Sequence, residues 1–281
     1  MLRDYITLTK PKITGLNILT AVTSYLLAGG GGYVLPILVA VGFLSVGGAS
    51  ALNHYLDRDL DGRMRRTSKR PLAAGRIKPP EKALIMGGLM LIASAIISSL
   101  FINVVTTIFT MLGAVVYLIY TVFLKKVTMW NIVIGGLAGS FAPLAGWAAH
   151  TGGISLTSIM LAVIVFLWTP GHFWSLAMRA ARDYRAAGIP MLPSMVDRSR
   201  AAWAITFSNI LSVAAAIFLG LFVGPISYLV LVMPVSVWLL VESIRLTVDK
   251  ADVTAWRCFK ISSPWLAIVF LAATVHLIAG I

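Results

Sequence analysis

Long apolar runs recur along the whole chain, separated by short connections that hold most of the charged residues. Nine of these runs approach the length of a membrane-spanning helix, which is about 20 residues. Their boundaries are roughly 13–29, 35–52, 84–101, 106–124, 130–148, 156–176, 203–221, 227–244 and 260–280. Strand-like alternation is absent, and a backbone in hydrocarbon must satisfy its own hydrogen bonds. The pattern therefore predicts an all-α polytopic membrane protein of about nine transmembrane helices.

The composition agrees with this pattern. Hydrophobic residues occupy 59% of the 281 positions and charged residues only 12%, and the mean hydropathy is +0.91. These values exclude an ordinary soluble domain. The first run lacks the features of a cleavable signal, so we expect it to belong to a single intramembrane domain over residues 1–281. Cys258 has no second cysteine to pair with, which excludes an intramolecular disulfide and a cysteine-based metal site.

The basic residues divide the connections into two classes. All 23 Lys and Arg residues lie at the N-terminus or in alternate connections. The intervening connections contain none; they are residues 29–34, 102–105, 149–155 and 222–226. By the positive-inside rule, the N-terminus and the charged connections are cytoplasmic and the C-terminus is outside. We therefore interpret the net charge of +13 as a determinant of topology, not of nucleic-acid binding, and expect a multi-pass plasma-membrane protein.

Charge is concentrated in the connection after the second run, which begins NHYLDRDLDGRMRRTSKRP at residue 53. Asn53, Asp57 and Asp61 recur every four residues and line one slowly turning stripe if the segment is helical. Two carboxylates and an amide oxygen form a hard-oxygen site suited to Mg²⁺, and the bases that follow suit an anionic ligand. The alternative is a solvated loop of mutual ion pairs. Ionisable groups that continue into an apolar span favour a metal–diphosphate site.

A second charged connection follows the sixth run. If the chain is helical there, His172, Arg179 and Asp183 occupy positions i, i+7 and i+11 and share one face. A lone histidine in a membrane helix is often only hydrogen-bonded to a neighbour, but its alignment with Asp183 favours a functional role. Pro190 and Pro193 should interrupt any helix that continues into the connection.

These residues resemble the motifs of the UbiA-type intramembrane prenyltransferases. The first motif is the stripe itself, followed by Arg-Thr at 66–67 and Arg-Pro-Leu at 70–72. Within that superfamily, the resemblance is to the branch that farnesylates haem. The supporting segments are Leu-Thr-Lys-Pro at 8–11, Asn-His-Tyr-Leu-Asp-Arg-Asp-Leu-Asp at 53–61, Tyr-Thr-x-x-Leu-Lys at 120–125, Trp-Thr-Pro-x-His-Phe-Trp at 168–174 and Asp-Tyr-x-x-Ala-Gly-Ile-Pro-Met-Leu-Pro at 183–193.

Two positions depart from the family pattern. Other members usually place a second acid about four residues after the first acid of the later motif, whereas this chain has Ala187 there. The haem-directed branch has the same feature, so the missing acid favours haem over quinone prenylation. Gly171 stands where that branch commonly has a second proline, which leaves the local helix geometry open.

The resemblance implies a bundle of nine helices around a central cavity that opens sideways to lipid, capped by two loops at residues 53–83 and 177–202. The implied reaction joins the farnesyl group of farnesyl diphosphate to a vinyl group of haem B, with addition of water. Its products are diphosphate and haem O, which is needed to assemble haem–copper oxidases. The implied partners are the two substrates and the lipid bilayer, with haem A synthase downstream.

The resemblance also implies a metal-binding role for the acidic residues. Asn53, Asp57 and Asp61 would hold one Mg²⁺, and Asp183 would help to hold a second from the facing loop. Negative charge develops on diphosphate as the allylic C–O bond breaks, and Mg²⁺ stabilises that charge. The catalytic carboxylates would therefore be Asp57, Asp61 and Asp183.

Basic and aromatic residues complete the implied site. Arg66, Arg70 and Lys125 are the candidates for binding diphosphate, and for each of them an ordinary ion pair within the loop is the alternative. His172 and Arg179 are the candidates for binding haem. The histidine could orient haem through the iron or through a propionate.

Two other functions stay open on the sequence. Another UbiA-type enzyme would prenylate an aromatic quinone precursor or a lipid glycerol, but it would not account for the Trp-Thr-Pro-x-His-Phe-Trp segment. A transporter of an anionic substrate would be expected to have broken helices at mid-membrane. The ionisable residues of this chain instead cluster towards one membrane face.

Overall fold

The computed structural model describes residues 2–279, and every regular element in that part of the chain is helical. The α-helices are α1 (Leu2–Leu8), α2 (Pro11–Leu27), α3 (Val34–Leu56), α4 (Arg58–Gly62), α5 (Glu81–Phe101), α6 (Val104–Ile119), α7 (Lys125–Val127), α8 (Asn131–Thr151), α9 (Leu156–Arg179), α10 (Ala181–Ala186), α11 (Leu192–Met195), α12 (Arg198–Leu219), α13 (Pro225–Asp249) and α14 (Asp252–Ala279). A π-helical turn, Tyr120–Leu124, joins α6 to α7. The prediction of an all-α protein is confirmed.

Eight stretches of helix among the described residues are long and apolar enough to cross a membrane. They are Val34–Leu56, Glu81–Phe101, Val104–Val127, Asn131–Thr151, Leu156–Arg179, Arg198–Leu219, Ile226–Asp249 and Asp252–Val275. α2 covers the first predicted span, but it has only 17 residues. At 1.5 Å per residue it is about 25 Å long. The chain is a multi-pass membrane protein, and the count of nine spans and their orientation stay predictions.

Burial divides these helices into inner and outer ones. In α9 and α14, 56% of the residues in the most apolar stretch of 18 are buried. The corresponding share is 17% in α5 and 11% in the span that begins with α6. α9 packs against α8, α12 and α14, and α13 packs against α14. Large apolar side chains from α9, α12, α13 and α14 fill a common core, including Leu161, Trp168, Tyr228, Trp265 and Phe270. α9 and α14 are therefore central, whereas α5 and α6 fully bury few of their apolar side chains.

The two charged connections meet at one end of the bundle, which we call the charged end. It consists of residues 53–83, which include α4, and residues 180–197, which include α10 and α11. Met64 of the first connection packs in one buried cluster with Tyr184 and Ile189 of the second. The chain therefore brings both motifs of the sequence to the same end of the fold.

Helix boundaries at the charged end differ from the predicted loop at 177–202. α9 continues to Arg179, and α12 begins at Arg198. Asp197 sets the second boundary, because its side chain accepts a hydrogen bond from the backbone N–H of Arg200 at 3.0 Å. The same bond lowers the pKa of the Asp197 carboxyl. Apolar periodicity alone could not locate this start, since the first turn of α12 is polar.

α3 and α5 cross at a pair of glycines. A Cβ added to Gly87 of α5 would lie 2.8 Å from the carbonyl oxygen of Gly48 in α3 and 2.8 Å from Leu52 Cγ. Small residues allow such close contact between membrane helices, whose association depends on van der Waals packing. Gly88 is the neighbouring residue, and a Cβ added there would meet no atom within 4 Å.

Gly87→Ala should therefore destabilise the protein, whereas Gly88→Ala should not. The methyl group at position 87 must push α5 away from the α3 backbone, which costs about 1–3 kcal/mol in a packed core. Alanine at position 88 gains helix propensity of up to about 1 kcal/mol. We expect the thermal unfolding midpoint in detergent to fall by several degrees for Gly87→Ala and to stay level or rise for Gly88→Ala. Equal midpoints for the two variants would contradict the close crossing.

Candidate active site

The predicted stripe crosses the junction of α3 and α4. Asn53 lies in the last turn of α3, Asp57 between the helices and Asp61 in α4. Backbone hydrogen bonds from Asp57 N to Asn53 O (2.9 Å) and from Asp61 N to Asp57 O (2.8 Å) maintain the helical spacing. All three side chains are buried, and Asn53 Nδ2 donates to Asp57 Oδ2 at 2.7 Å. The structure thus brings together the three residues that the sequence selected.

Two basic side chains neutralise the carboxylates of the stripe. Lys125 Nζ donates to Asp57 Oδ2 at 2.6 Å. Arg70 Nη1 donates to both carboxylate oxygens of Asp61, at 2.9 and 2.7 Å. Buried carboxylates require such partners, because an unpaired charge in a medium of low dielectric constant is strongly destabilising. Two of the three residues predicted to bind diphosphate therefore lie directly against the predicted metal ligands.

Lys10 is a further cation at the stripe. It is not among the predicted site residues, although it lies in the Leu-Thr-Lys-Pro segment at 8–11. Its Nζ donates to Tyr117 OH at 2.9 Å and also to Asn53 Oδ1. Burial lowers the pKa of Lys10 to about 7, the two neighbouring cations add to the shift, and the two carboxylates oppose it. Lys10 lies between α1 and α2 with a φ of 47°, which brings its side chain to the stripe from outside both helices.

The oxygen atoms of the stripe fit a hard divalent cation. Oδ1 of Asp57 is buried and accepts no hydrogen bond from the described residues, and an unsatisfied buried acceptor is costly unless a cation or donor occupies it. Within residues 2–279, no three His, Cys, Asp or Glu side chains form a group that could enclose a metal. Two carboxylates and an amide are too few for a closed cage, but they suit Mg²⁺, which retains water or phosphate oxygens in its shell.

The loop after α4 connects the stripe to the second charged connection. Buried Thr67 donates its hydroxyl proton to the carbonyl oxygen of Asp61 at 2.9 Å, which orders the start of this loop. Arg66 is exposed, and its Nη2 lies 3.5 Å from Tyr184 OH in α10. The third predicted diphosphate ligand thus reaches towards the second connection, whereas Arg70 and Lys125 contact the stripe.

Asp183 lies in α10 and not on an extension of α9. α9 ends at Arg179 and α10 begins two residues later, so the prediction that one helix face holds His172, Arg179 and Asp183 is wrong for Asp183. Its side chain is half-buried and forms no hydrogen bond or ion pair with another described residue. Asp183 is therefore a free carboxylate next to Tyr184, the residue that the first connection approaches.

His172 lies in a stack of side chains between α9 and α14. Its ring centroid is 4.4 Å from that of Trp168 and 4.4 Å from that of Phe259, with interplanar angles of 20° and 25°. The stack continues from Phe259 to Trp256 at 5.1 Å, and the guanidinium of Arg179 covers Trp256 at 4.5 Å. His172 and Arg179 therefore do share one face of α9, the face that meets α14.

Hydrogen bonding determines which nitrogen of His172 holds the proton. Nδ1 lies 2.6 Å from Ser262 Oγ, and that hydroxyl donates to Phe259 O at 2.9 Å. A hydroxyl has one proton, so both contacts are hydrogen bonds only if Nδ1–H donates to Ser262. In the neutral ring Nε2 then keeps its lone pair, and it has no hydrogen-bond partner among the described residues. The hydrogen bond to a neighbour is thus present, and it leaves the second nitrogen able to act as a ligand.

Pro170 and Gly171 lie within α9, where a side chain of α12 replaces a backbone hydrogen bond of the helix. Ser208 Oγ accepts a hydrogen bond from Gly171 N at 2.9 Å and donates one to Leu167 O at 2.6 Å. In a regular helix Gly171 N would bond Leu167 O directly, so the hydroxyl is inserted into the ladder, as occurs at helix kinks. A Cβ at Gly171 would lie 2.3 Å from Asn209 Oδ1. Glycine at this position therefore permits the close approach of α12.

The chain is similar in sequence to known proteins over most of its length. Residues 17–278 match the UbiA prenyltransferase family. The chain is 41% identical over 278 residues to the protoheme IX farnesyltransferase of Sulfolobus acidocaldarius. That alignment covers 98% of this chain and 96% of the relative.

Solved structures share the fold at lower sequence identity. A structure from work on digeranylgeranylglyceryl phosphate synthase superposes with a TM-score of 0.78 at 21% identity, covering 99% of both chains. A UbiA homolog from Archaeoglobus fulgidus bound to DMAPP and Mg²⁺ superposes with a TM-score of 0.69 at 15% identity, covering 97% of this chain and 99% of the homolog. At these identities the likeness establishes the fold alone. Because the family match extends over most of its length, the chain belongs to the UbiA prenyltransferase family.

Proposed function

We propose that this protein transfers the farnesyl group of farnesyl diphosphate to a vinyl group of haem B, with addition of water, to give haem O and diphosphate. The observation that carries the proposal is the 41% identity, over nearly the full length of both chains, to a protoheme IX farnesyltransferase. The geometry supports it because one region of the site offers carboxylates and cations, whereas another offers aromatic rings and an imidazole. Those are the different requirements of the two substrates.

The stripe is suited to a diphosphate that binds together with a metal ion. Asn53, Asp57 and Asp61 would hold Mg²⁺, and Asp183 would help to hold a second ion from the facing connection. The A. fulgidus homolog, which has the same fold, binds Mg²⁺ together with DMAPP. When bound, Mg²⁺ would supply positive charge to the diphosphate oxygens as the C–O bond breaks.

The basic residues of the stripe would change partners when substrate binds. Lys125 and Arg70 neutralise Asp57 and Asp61. Once a divalent cation takes over that role, both side chains can turn their N–H groups to the diphosphate. Arg66 would approach the same group from the side of the second connection. In this proposal, Lys125 and Arg70 pair with the carboxylates before the substrate binds and with the diphosphate afterwards.

The stack between α9 and α14 is suited to haem. A neutral imidazole whose Nε2 has a free lone pair is a natural ligand for iron. The assigned tautomer favours iron over a propionate, because only a protonated Nε2 could donate to a carboxylate. Arg179 is exposed at the outer end of the stack, where its guanidinium could pair with a propionate.

The location of the site follows from the distribution of charge. We propose that the charged end faces the cytoplasm, since the Lys and Arg residues lie at the N-terminus, in alternate connections or in the helix turns next to them, which the positive-inside rule assigns to that side. The protein would act as one domain in the plasma membrane, with a central cavity that both amphiphilic substrates enter from lipid. Haem O would then pass to haem A synthase.

Removing a carboxylate from the stripe should abolish turnover. Asp57→Asn and Asp61→Asn preserve side-chain shape but each replaces a charged metal ligand by a neutral amide, which should slow haem O formation by about a thousandfold or more. The matched control is Asp59→Asn. Asp59 lies between them in sequence, but its side chain is 82% exposed and its ion pair with Arg58 is long, at 3.9 Å. Haem O is measured by mass spectrometry after incubation with farnesyl diphosphate and Mg²⁺. Near-normal turnover in both stripe variants would contradict the assignment of these residues as metal ligands.

The two substrates should depend on different residues of the second motif. His172→Ala should weaken haem binding, measured by Soret difference spectra, and leave the affinity for a non-hydrolysable farnesyl diphosphate analogue unchanged. Asp183→Ala should weaken Mg²⁺-dependent binding of the analogue, measured by calorimetry, and leave haem affinity unchanged. His150→Ala is the control, since His150 is exposed in the last turn of α8, at the end of the bundle opposite the charged end.

Each result has a clear alternative. If His172→Ala retains full haem affinity and turnover, the histidine serves only to pack α9 against α14. If the wild-type protein binds no haem, the function is that of a UbiA-type enzyme with an aromatic quinone precursor or a lipid glycerol as acceptor.

The orientation can be tested with single cysteines. Cys258 is buried, so the background labelling of intact cells should be low. Cysteines at Gly31 and Gly153, where an added Cβ meets no atom within 4 Å, should react with a membrane-impermeant maleimide from outside. A cysteine at Ser68 should react only after the cells are opened. Labelling of the Ser68 variant from outside would reverse the proposed topology.

A further inference from the structure

A groove between α13 and α14 lies apart from the candidate active site. Its volume is about 520 Å³, and it has apolar walls that include Trp238, Ile261 and Pro264. Arg257 and Lys260 also line it. On α14 these groove residues recur at helical spacing, and they point away from the residues that stack on or bond to His172. The groove is therefore open to an amphiphile that does not touch the proposed haem ligand.

A buried acid organises the charged part of this groove. Glu242 of α13 is 4% exposed, and its Oε1 accepts a hydrogen bond from Arg245 Nη1 at 2.8 Å. Its Oε2 has no hydrogen bond and lies 4.0 Å from Arg257 Nη1. An ionisable group inside a membrane helix is expensive and usually functional. Here the carboxylate holds two guanidinium groups beside the groove without engaging all their donors.

The charges at this position do not cancel. Glu242 and Asp249, whose carboxylate interacts with both arginines, contribute two negative charges. Arg245, Arg257 and Lys260 contribute three positive charges, which leaves a local excess of one. The side chains of Arg245 and Arg257 are more than half exposed. The groove therefore presents free N–H donors and net positive charge to a ligand.

The charged groups of the groove lie towards the charged end of α13 and α14, and its apolar walls lie further along the same helices. Glu242 and Lys260 each lie about two turns, or about 11 Å, from the ends of α13 and α14 at the charged end. Apolar wall residues such as Val235 and Ile268 lie about another 10–12 Å deeper along the same helices. The groove thus has a cationic mouth towards the charged end and an apolar body that runs towards the middle of the two helices.

We propose that the groove between α13 and α14 is a binding site for an anionic phospholipid, whose phosphate pairs with Arg257 and Lys260 and whose acyl chain lies along Trp238 and Pro264. Net charge decides the class of lipid, because a zwitterionic headgroup adds a positive charge to a groove that already has an excess of positive charge. Among the residues that line the groove there is no His, Cys or Met to bind haem iron. The proposal does not depend on the function proposed above.

The test compares two lipids that differ only in headgroup charge. Phosphatidylglycerol and phosphatidylcholine with identical acyl chains are titrated into the purified protein in neutral detergent, and binding is measured by native mass spectrometry. We expect the wild-type protein to prefer phosphatidylglycerol and Arg257→Gln/Lys260→Gln to bind it about thirtyfold more weakly. The control is Lys82→Gln/Arg200→Gln, which removes the same charge from exposed positions elsewhere and should leave the preference intact.

A second measurement does not depend on the folding of the double variant. Phosphatidylglycerol with brominated acyl chains should quench tryptophan fluorescence more than brominated phosphatidylcholine does, and Trp238→Phe should remove that difference. Equal binding of the two lipids by the wild-type protein would overturn the proposal. An unchanged lipid preference in the Arg257→Gln/Lys260→Gln variant would also overturn it. The same holds if this variant loses binding of haem or farnesyl diphosphate but keeps binding of phosphatidylglycerol.

Discussion

The need to neutralise carboxylates inside an apolar bundle is the constraint on which the rest of this structure depends. Asp57 and Asp61 are almost inaccessible to solvent, and burial of such charges without partners costs several kcal/mol each. Lys125 from the end of the fourth apolar run and Arg70 from the loop after α4 therefore converge on them. This convergence holds the end of α3, the start of α7 and the first charged connection together.

The same ion pairs also place diphosphate-binding groups in the proposed site. Paired carboxylates cost little while the substrate is absent, and their partners are the residues that a diphosphate requires when it arrives with a metal ion. Asp57 Oδ1 accepts no hydrogen bond from the described residues, and Asp183 forms no pair with another described residue. The fold therefore retains some carboxylate oxygens for a ligand while it neutralises others.

The haem side of the proposed site solves a different problem, because it must hold a polar ring in an apolar core. Stacking between Trp168 and Phe259 and the bond to Ser262 hold His172 in place and leave one ring nitrogen without a hydrogen bond from the described residues. In the turn before it, the hydroxyl of Ser208 bridges Gly171 N and Leu167 O. α14 supplies the stack with one face and the groove beside α13 with another, so a single central helix would serve both a substrate and a lipid.

The sequence by itself determined the helical class, the positions of most spans and the stripe, because these depend on backbone hydrogen bonding in hydrocarbon and on local helical spacing. It could not show that Lys10 meets Asn53, 43 residues away, or that Ser262 meets His172, 90 residues away. It also placed Asp183 on α9, since the end of that helix is not marked by apolar periodicity. Those features were decided only by the tertiary structure, because in an apolar interior each buried polar group must find a partner from whichever helix packs beside it.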